Sequence, residues 1–274
     1  MISNRKYFVF FRACDKVESS HKASRPYGLN KLDIIKLSFY SLHKALSGYE
    51  NSICVIGDDL STESLNFFSK FTNVRVENYN LGNASKSLKR QIDLAKQVKE
   101  YGWIYMCEDD YLHLPYCFNY IDEFLNNRKD YLRTSAKKKN YINRLIGDLS
   151  NVPTIIHPPD YPDRYEPPWK RPSYIFKSKY CHWRQITNTT HSLLLSTSSF
   201  SKFYNSIYES SHGPSDSKLS ENVYGRFSFR NKALCVSPIL GLSTHLTDGV
   251  MTPFVDWSKI IETLMEEMEN LGML

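Results

Sequence analysis

The 274-residue sequence lacks the patterns that mark several common protein classes. No stretch approaches the roughly 20 apolar residues that a membrane-spanning helix needs, and the polar start over residues 1–6 is unlike a signal peptide. The six cysteines include no CxxC pair, which argues against a zinc site or a disulfide framework. We therefore expect a globular cytoplasmic protein, or one held peripherally at the inner face of the membrane.

Clustered positive charge is also scarce, although the formal net charge is +6. The one basic run, Lys137–Lys139, is typical of a solvated loop, so we expect no nucleic-acid partner. The overall charge suits an anionic partner such as a nucleotide diphosphate. Aromatic residues make up 14% of the chain, which fits stacking on sugars or bases. Trp169, Trp183 and Trp257 are candidate sugar platforms, with core packing as the alternative.

The first 125 residues alternate short apolar runs with segments of helical periodicity. The runs that predict strands buried on both faces are Tyr7–Phe11, Ile53–Ile56 and Trp103–Cys107. Helical spacing over Leu32–Leu46 and Ser85–Lys99 predicts helices between them, the first capped by Asn30. This order predicts an α/β fold with a mostly parallel central sheet flanked by helices.

The second half, residues 126–274, has a different pattern. Residues 126–180 hold more than half of the 12 prolines and show little periodicity, which predicts a loop-rich part that shapes a binding site. The apolar stretch Ala233–Leu242 contains Pro238, which predicts an edge strand or an interrupted one. We expect the two halves to be fused into one domain.

Acidic residues follow each of the three predicted strands, where an open parallel sheet binds its ligands. They are Asp15, Asp58, Asp59, Glu108, Asp109 and Asp110. Three consecutive carboxylates repel one another unless cations or hydrogen-bond donors neutralise them. Mg²⁺ and Mn²⁺ favour oxygen ligands and are often shared with substrate phosphates. We predict a metal and nucleotide site here, the alternative being an acidic turn that caps the helix after Pro115.

The Glu108–Asp110 tripeptide, together with the stretch Asn83–Arg90 before an amphipathic helix, resembles the GT-A fold glycosyltransferases, especially the inverting family 2 type. The resemblance implies a GT-A-like (Rossmann-like) fold, an Mn²⁺ or Mg²⁺ ion, and a nucleotide-sugar donor, with a UDP-sugar favoured over a GDP-sugar. Glu108 stands where the family usually has aspartate. The implied metal ligands are Asp110 first, with Glu108 and the late His245.

The resemblance also implies donor contacts and a catalytic base. The implied donor contacts are Arg12, Asp15, Asp58, Asp59, Lys86, Arg90 and Asp109. Glu221, in the segment Leu219–Tyr224, is the implied base, with Asp216 second, because an acceptor hydroxyl must lose its proton during attack. The alternative for Glu221 is an acid that favours a helix N-terminus.

The expected reaction is metal-dependent transfer of a sugar to a hydroxyl of a glycan or lipid-linked acceptor, with inversion, as in bacterial surface polysaccharide synthesis. Residues 1–125 would bind the donor, and residues 126–274 would bind the acceptor and carry the base. A retaining outcome is the nearest alternative. A sugar-nucleotide nucleotidyltransferase is disfavoured because Arg12–Tyr27 has no glycine for a phosphate loop. A non-catalytic glycan-binding module is the third option.

Overall fold

The computed structural model describes residues 5–16, 24–133, 149–167, 173–213, 217–224 and 232–274. The strands are β1 (Lys6–Ala13), β2 (Glu50–Asp58), β3 (Val74–Tyr79), β4 (Trp103–Glu108), β5 (Tyr111–His113), β6 (Thr154–Ile156), β7 (Ile175–Lys177), β8 (His182–Gln185), β9 (Leu193–Ser196), β10 (Leu234–Ile239) and β11 (Ser243–His245). The main helices are α1 (Lys31–Ala45), α2 (Thr62–Phe68), α3 (Ala84–Ala95), α4 (Cys117–Leu132), α5 (Thr197–Glu209) and α6 (Trp257–Asn270).

The described strands form one nine-stranded sheet in the order β3-β2-β1-β4-β9-β6-β10-β8-β7, and β5 pairs with β11 in a second, small sheet. Parallel pairing joins β3, β2, β1 and β4, whereas β9 runs antiparallel between β4 and β6. Strand β10 is parallel to β6, and β8 is antiparallel to both β10 and β7. Seven of the nine strands therefore share one direction, which confirms the predicted α/β fold with a mostly parallel sheet.

Helices cover the sheet on both faces, as strands without a polar face require. In β1 the alternation of side chains sends Phe11 to one face and Phe10 to the other. Phe11 packs among α1, α2, α4 and α6, where its ring meets Phe39 edge-on at 5.2 Å. Phe10 packs with α3 and α5, beside Ile92 and Phe200. Burying each phenylalanine contributes about 1.5–3 kcal/mol.

A capping box starts α1 at the predicted residue. The Asn30 side chain accepts a hydrogen bond from the Asp33 backbone N–H, and the Asp33 carboxylate accepts one from the Asn30 N–H. Two of the free donors at the helix start are thereby satisfied. The cap fixes the position of Lys31, the first residue of α1.

Of the two alternatives predicted from Pro238, the edge strand is wrong. Strand β10 lies inside the sheet, between β6 and β8. Only Leu234–Val236 pairs with β6, so Pro238 falls beyond the end of that neighbour and faces Trp183 of β8 alone. The missing N–H of proline is thus tolerated in an interior strand.

The tryptophans that the structure describes belong to the core and not to sugar platforms. Trp183 is fully buried and stacks on Phe124, with the ring centroids 4.4 Å apart. Trp257 is 2% exposed and donates its indole N–H to the Thr252 carbonyl at 2.8 Å. Trp169 and the basic run at 137–139 lie outside the described residues. Of the helices that are described, none has the length and apolar character to cross a membrane.

Candidate functional site

The acids predicted to share one edge of the sheet are brought together there. Strands β1, β2 and β4 are parallel and nearly in register, with Arg12 opposite both Ile56 and Glu108. Their carboxyl ends therefore lie side by side. The tripeptide Glu108–Asp110 occupies the junction between β4 and the short strand β5, which is the position where open α/β sheets bind ligands.

Each carboxylate of this tripeptide is paired with a cation of the chain. Arg12 Nη2 lies 2.5 Å from Glu108 Oε1, and both side chains are at most 26% exposed. Lys31 Nζ lies 2.7 Å from Asp109 Oδ1. Arg25 Nη1 lies 3.7 Å from Asp110 Oδ2. The predicted repulsion among the three acids is thus offset by three cations drawn from β1, the loop before α1, and the first residue of α1.

Asp110 also contacts His245. Asp110 Oδ2 lies 3.0 Å from His245 Nε2. Burial alone would raise the pKa of Asp110, but His245, Lys31 and Arg25 together hold it well below its usual value. Burial would likewise lower the pKa of His245, yet the Asp110 carboxylate outweighs it and raises that pKa above its usual value.

The small sheet fixes this pair in place. Strand β5 pairs with β11 so that His245 stands opposite Tyr111, and their rings stack 5.0 Å apart at 11°. The Leu246 backbone N–H donates to the Asp110 carbonyl at 2.7 Å. Tyr111 is itself anchored, because its hydroxyl bonds Thr190 Oγ1 at 2.8 Å and also meets the Tyr161 hydroxyl.

Asp109 points into the protein. It is 8% exposed and accepts hydrogen bonds from the Cys14 backbone N–H at 2.9 Å and from Lys31 Nζ at 2.7 Å. It therefore joins the end of β1 to the start of α1. In this structure its contacts are with the chain, and its role as a donor contact stays a prediction.

Two other predicted donor contacts, Asp15 and Asp58, accept hydrogen bonds from backbone N–H groups in this structure. Asp15 Oδ2 accepts from the Ser61 N–H at 2.9 Å and from the hydroxyls of Ser61 and Ser64 at 2.6 Å, which ties β1 to the start of α2. Burial would raise the pKa of Asp15, but these hydrogen bonds outweigh it and lower that pKa. Asp58 Oδ1 accepts from the N–H groups of Leu81 and Gly82 at 2.6 and 3.1 Å and so shapes the loop before α3.

The remaining predicted donor contacts are Asp59, Lys86 and Arg90. Asp59 is half-exposed and pairs with Lys16. Lys86 is exposed in the first turn of α3. Arg90 donates to the Tyr79 hydroxyl at 2.6 Å, on the edge strand β3, which stands two places from β1 in the sheet.

Glu221 is exposed on the short π-helical turn Ser220–Tyr224, which follows a helical turn at Ser217–Leu219. That turn approaches the site through Tyr224, whose hydroxyl lies 3.1 Å from Thr189 Oγ1, one residue before the Thr190 that contacts Tyr111. The role of Glu221 as a base remains a prediction. Asp216, the second choice, lies outside the described residues.

Sequence reasoning missed Arg25 and Lys31. A signal for them was present, because three adjacent carboxylates need compensation and the segment that follows β1 at the same edge carries several cations. Which of those cations reach the acids depends on the path of the loop. The sequence of that loop has no periodic pattern from which its path could be predicted.

A divalent ion can be tested against the donor set. Over the ranges that the structure describes, no group of three or more His, Cys, Asp or Glu side chains is arranged to hold a metal ion. Asp110 Oδ2 and His245 Nε2, however, are 3.0 Å apart, about the separation of two adjacent ligands in an octahedral shell with bonds near 2.1 Å. Mg²⁺ commonly takes one or two carboxylates and completes its shell with phosphates and water. Two chain ligands therefore fit an ion shared with a diphosphate.

Comparisons with known proteins give likenesses of fold only. No protein-family model matches the chain, and no curated protein matches it in sequence. Among solved structures, it resembles S. aureus TarS 1–349 at 12% identity and TM-score 0.43, over 85% of this chain and 60% of that one. It also resembles 4-diphosphocytidyl-2C-methyl-D-erythritol synthase from Anaerococcus prevotii at 10% identity and TM-score 0.42, over 98% of each chain. Galactosyltransferase LgtC, solved with donor and acceptor sugar analogues, matches at 11% identity and TM-score 0.42, over 97% of this chain and all of LgtC. Likenesses at this level carry no argument about the reaction of this chain.

Proposed function

We propose that the chain is a metal-dependent glycosyltransferase that takes a sugar from a nucleotide-diphosphate donor and transfers it to a hydroxyl of a glycan or lipid-linked acceptor. One observation carries the proposal. The carboxyl edge of the parallel sheet holds three adjacent acids, a histidine in contact with one of them, and three cations paired with the acids. Such a mixed cluster has chemical partners for both a divalent ion and a diphosphate.

Within this cluster the proposed roles divide by charge. Asp110 and His245 would be the chain's ligands to Mn²⁺ or Mg²⁺, with Glu108 as a further candidate. A divalent ion there would neutralise charge on the leaving diphosphate. Arg12, Arg25 and Lys31 are the cations at the same edge, and phosphate oxygens are partners that guanidinium and ammonium groups bind well.

Acceptor activation is assigned to Glu221. Glu221 is exposed, on a turn whose Tyr224 hydroxyl contacts Thr189 Oγ1, and a carboxylate has the chemistry of a base that removes the acceptor proton. Direct attack by the activated hydroxyl would invert the anomeric carbon. A UDP-sugar is the favoured donor, GDP-sugar is the second, and bacterial surface polysaccharide synthesis is the proposed setting.

The first test is calorimetric titration of UDP and of GDP, with and without Mn²⁺. We expect binding that depends on Mn²⁺ in the wild type and is lost in Asp110→Ala. Asp130→Ala, an exposed acid on α4, is the matched control and should bind as the wild type does. Nucleotide binding that is indifferent to both Mn²⁺ and Asp110 would contradict the assigned site.

A second measurement separates transfer from nucleotide binding. Incubation with UDP-sugars and no added acceptor should release UDP in the presence of Mn²⁺ as the sugar is transferred to water, and Glu221→Gln should abolish that release while leaving UDP affinity within about twofold of the wild type. Release of pyrophosphate from UTP and a sugar 1-phosphate would instead identify a nucleotidyltransferase.

A further inference from the structure

A cavity lies beside α4 and includes the residues that precede β2. Its volume is about 730 Å³, and it is bounded by Ser47–Tyr49 just before β2, by one face of α4, and by Lys179 and Tyr180 before β8. Strand β2 is nine residues long, so at about 3.3 Å per residue its two ends lie roughly 25 Å apart. The cavity is therefore separate from the acid cluster, and its volume falls in the range of small-molecule sites.

Stacked tyrosines form one side of this cavity and continue beyond it. The rings of Tyr120 and Tyr180 are stacked with centroids 4.8 Å apart at 23°, and the ring of Tyr116 is tilted by 34° against that of Tyr120, with centroids 4.8 Å apart. Tyr116 and Tyr180 are 43% and 47% exposed. Mutual stacking holds these rings in place while they remain accessible. Each ring has an apolar face and a hydroxyl, which matches the mixed surface of a sugar ring.

Side-chain amides of α4 supply hydrogen-bonding groups beside these rings. Asn119 Oδ1 accepts from the Tyr49 hydroxyl at 2.6 Å, and Asn126 Oδ1 accepts from Arg5 at 2.8 Å. Because each amide oxygen is already bonded inside the protein, the orientation of the amide is set and its NH₂ group is the part left to donate elsewhere. Amides fixed in this way suit hydroxyl acceptors on a ligand.

A buried carboxylate on the same helix face points to hydroxyl donors. Asp122 is 3% exposed and lines the cavity. Its Oδ1 accepts from Tyr7 at 2.5 Å and from Arg5 at 3.0 Å, whereas Oδ2 is buried and has no hydrogen-bond partner among the described residues. A buried oxygen without a hydrogen-bond partner is unfavourable, so a ligand hydroxyl that reached it would be favoured.

The charges around the cavity do not favour an anionic ligand. Two carboxylates, Asp122 and Glu123, line it with the cation Lys179, and Asp122 is paired with Arg5 at 3.0 Å. The Lys179 ammonium lies 5.0 Å from the centre of the Tyr180 ring, where it interacts with the aromatic face. These charges balance, so a nucleotide or a phosphorylated sugar would meet no surplus of positive charge here.

We infer that this cavity binds a neutral oligosaccharide, as a saccharide site distinct from the proposed transfer site. Stacked rings would hold the apolar faces of the sugars, and Asn119, Asn126 and Asp122 would bond their hydroxyls. The inference stands on these residues alone and does not require that the acid cluster transfers sugars.

The test is affinity electrophoresis of the full chain through native gels that contain dextran, mannan, xylan or soluble starch. We expect at least one polysaccharide to retard the wild type. Tyr180→Ala and Asn126→Ala should each weaken that retardation at least tenfold in apparent affinity. Two controls should be retarded as the wild type is: Asp110→Ala, in the acid cluster, and Tyr204→Ala, a tyrosine of α5 on the other face of the sheet.

Three outcomes would overturn the inference. The first is no retardation by any of the four polysaccharides. The second is retardation that survives unchanged in both Tyr180→Ala and Asn126→Ala, because the saccharide would then bind elsewhere. The third is a wild-type dimer in sedimentation velocity that Tyr180→Ala dissociates, because the tyrosine surface would then be an interface between copies of the chain. Circular dichroism of the variants checks that each is folded.

Discussion

At the scale of single residues, the candidate site is a set of ion pairs whose members differ in burial. Asp109 is the most enclosed, with its side chain 11% exposed beside a Lys31 side chain that is 15% exposed. The pair of Asp59 and Lys16 has the same chemistry, with side chains 48% and 57% exposed. Solvent screens the second pair far more than the first, so the same substitution should have different consequences in the two places.

We predict that Asp109→Ala lowers the free energy of unfolding by about 2–3 kcal/mol, because it leaves the Lys31 ammonium and the Cys14 N–H without their acceptor. Asp59→Ala, the matched control, should cost less than about 1 kcal/mol. Urea denaturation followed by circular dichroism, with EDTA and without nucleotide, measures both.

A rescue variant sharpens this prediction. Replacing both partners, as Asp109→Ala with Lys31→Met, removes the unpaired charge and should recover part of the loss. Equal losses for Asp109→Ala and Asp59→Ala would show that the enclosed pair contributes no more than the exposed one.

At the scale of elements, α1 links the stability of a helix to the geometry of the site. Its cap, Asn30, is directly followed by Lys31, whose ammonium holds Asp109. Fraying of the first turn would release that lysine. The cap is therefore part of what keeps the cation in place, although Asn30 is exposed.

We predict that Asn30→Ala destabilises the protein by about 1 kcal/mol, as loss of a helix cap does, whereas Asn30→Asp keeps an acceptor and should be close to neutral. Asn66→Ala, an exposed position inside α2, is the control and should be neutral or slightly stabilising, because alanine is the better helix former. Urea midpoints compare the three variants. A loss in Asn66→Ala as large as that in Asn30→Ala would contradict the capping role.

The elements that the sequence predicts well are those with a strong local pattern. The apolar run Tyr7–Phe11 lies within β1, and the helix predicted over Leu32–Leu46 differs from α1 by one residue at each end. The strands β6 and β7 are three residues long. Such short strands carry no readable period, and they exist because distant strands pair with them. Pro238 led to the wrong prediction of an edge strand for the same reason, since the cost of its missing N–H depends on where β6 ends.

The same holds for the site: features set by the local sequence could be predicted, and features set by distant residues could not. Acids at strand ends could be predicted, because the carboxyl ends of parallel strands meet at one edge. The cations Arg25 and Lys31 could not be predicted individually, because the loop that carries Arg25 has no repeating pattern. The cavity beside α4 was missed as well. It combines one helix face with residues from two distant loops.

At the scale of the whole molecule, buried histidines make stability depend on pH. Burial lowers the pKa of His113 to about 3 and that of His157 well below its usual value. His113 is 1% exposed and its Nε2 meets the Tyr105 hydroxyl at 2.7 Å. Between the unfolded pKa near 6.5 and the folded pKa, the unfolded chain binds protons that the folded chain does not. Stability must then fall as the pH falls below about 6.5.

We predict that the wild type loses about 1.4 kcal/mol of unfolding free energy for each of these two histidines between pH 7.5 and pH 5.5. His245 acts with the opposite sign, because a raised pKa adds stability below about 6.5 that is lost as the pH rises through the folded value. That contribution is common to the wild type and to His113→Gln, so it cancels when the two are compared.

His113→Gln should therefore lose about 1.4 kcal/mol less than the wild type over this interval, whatever its stability at pH 7.5. Urea titrations at both pH values give the four numbers, and an identical pH dependence in His113→Gln and the wild type would mean that His113 does not stay neutral in the folded protein.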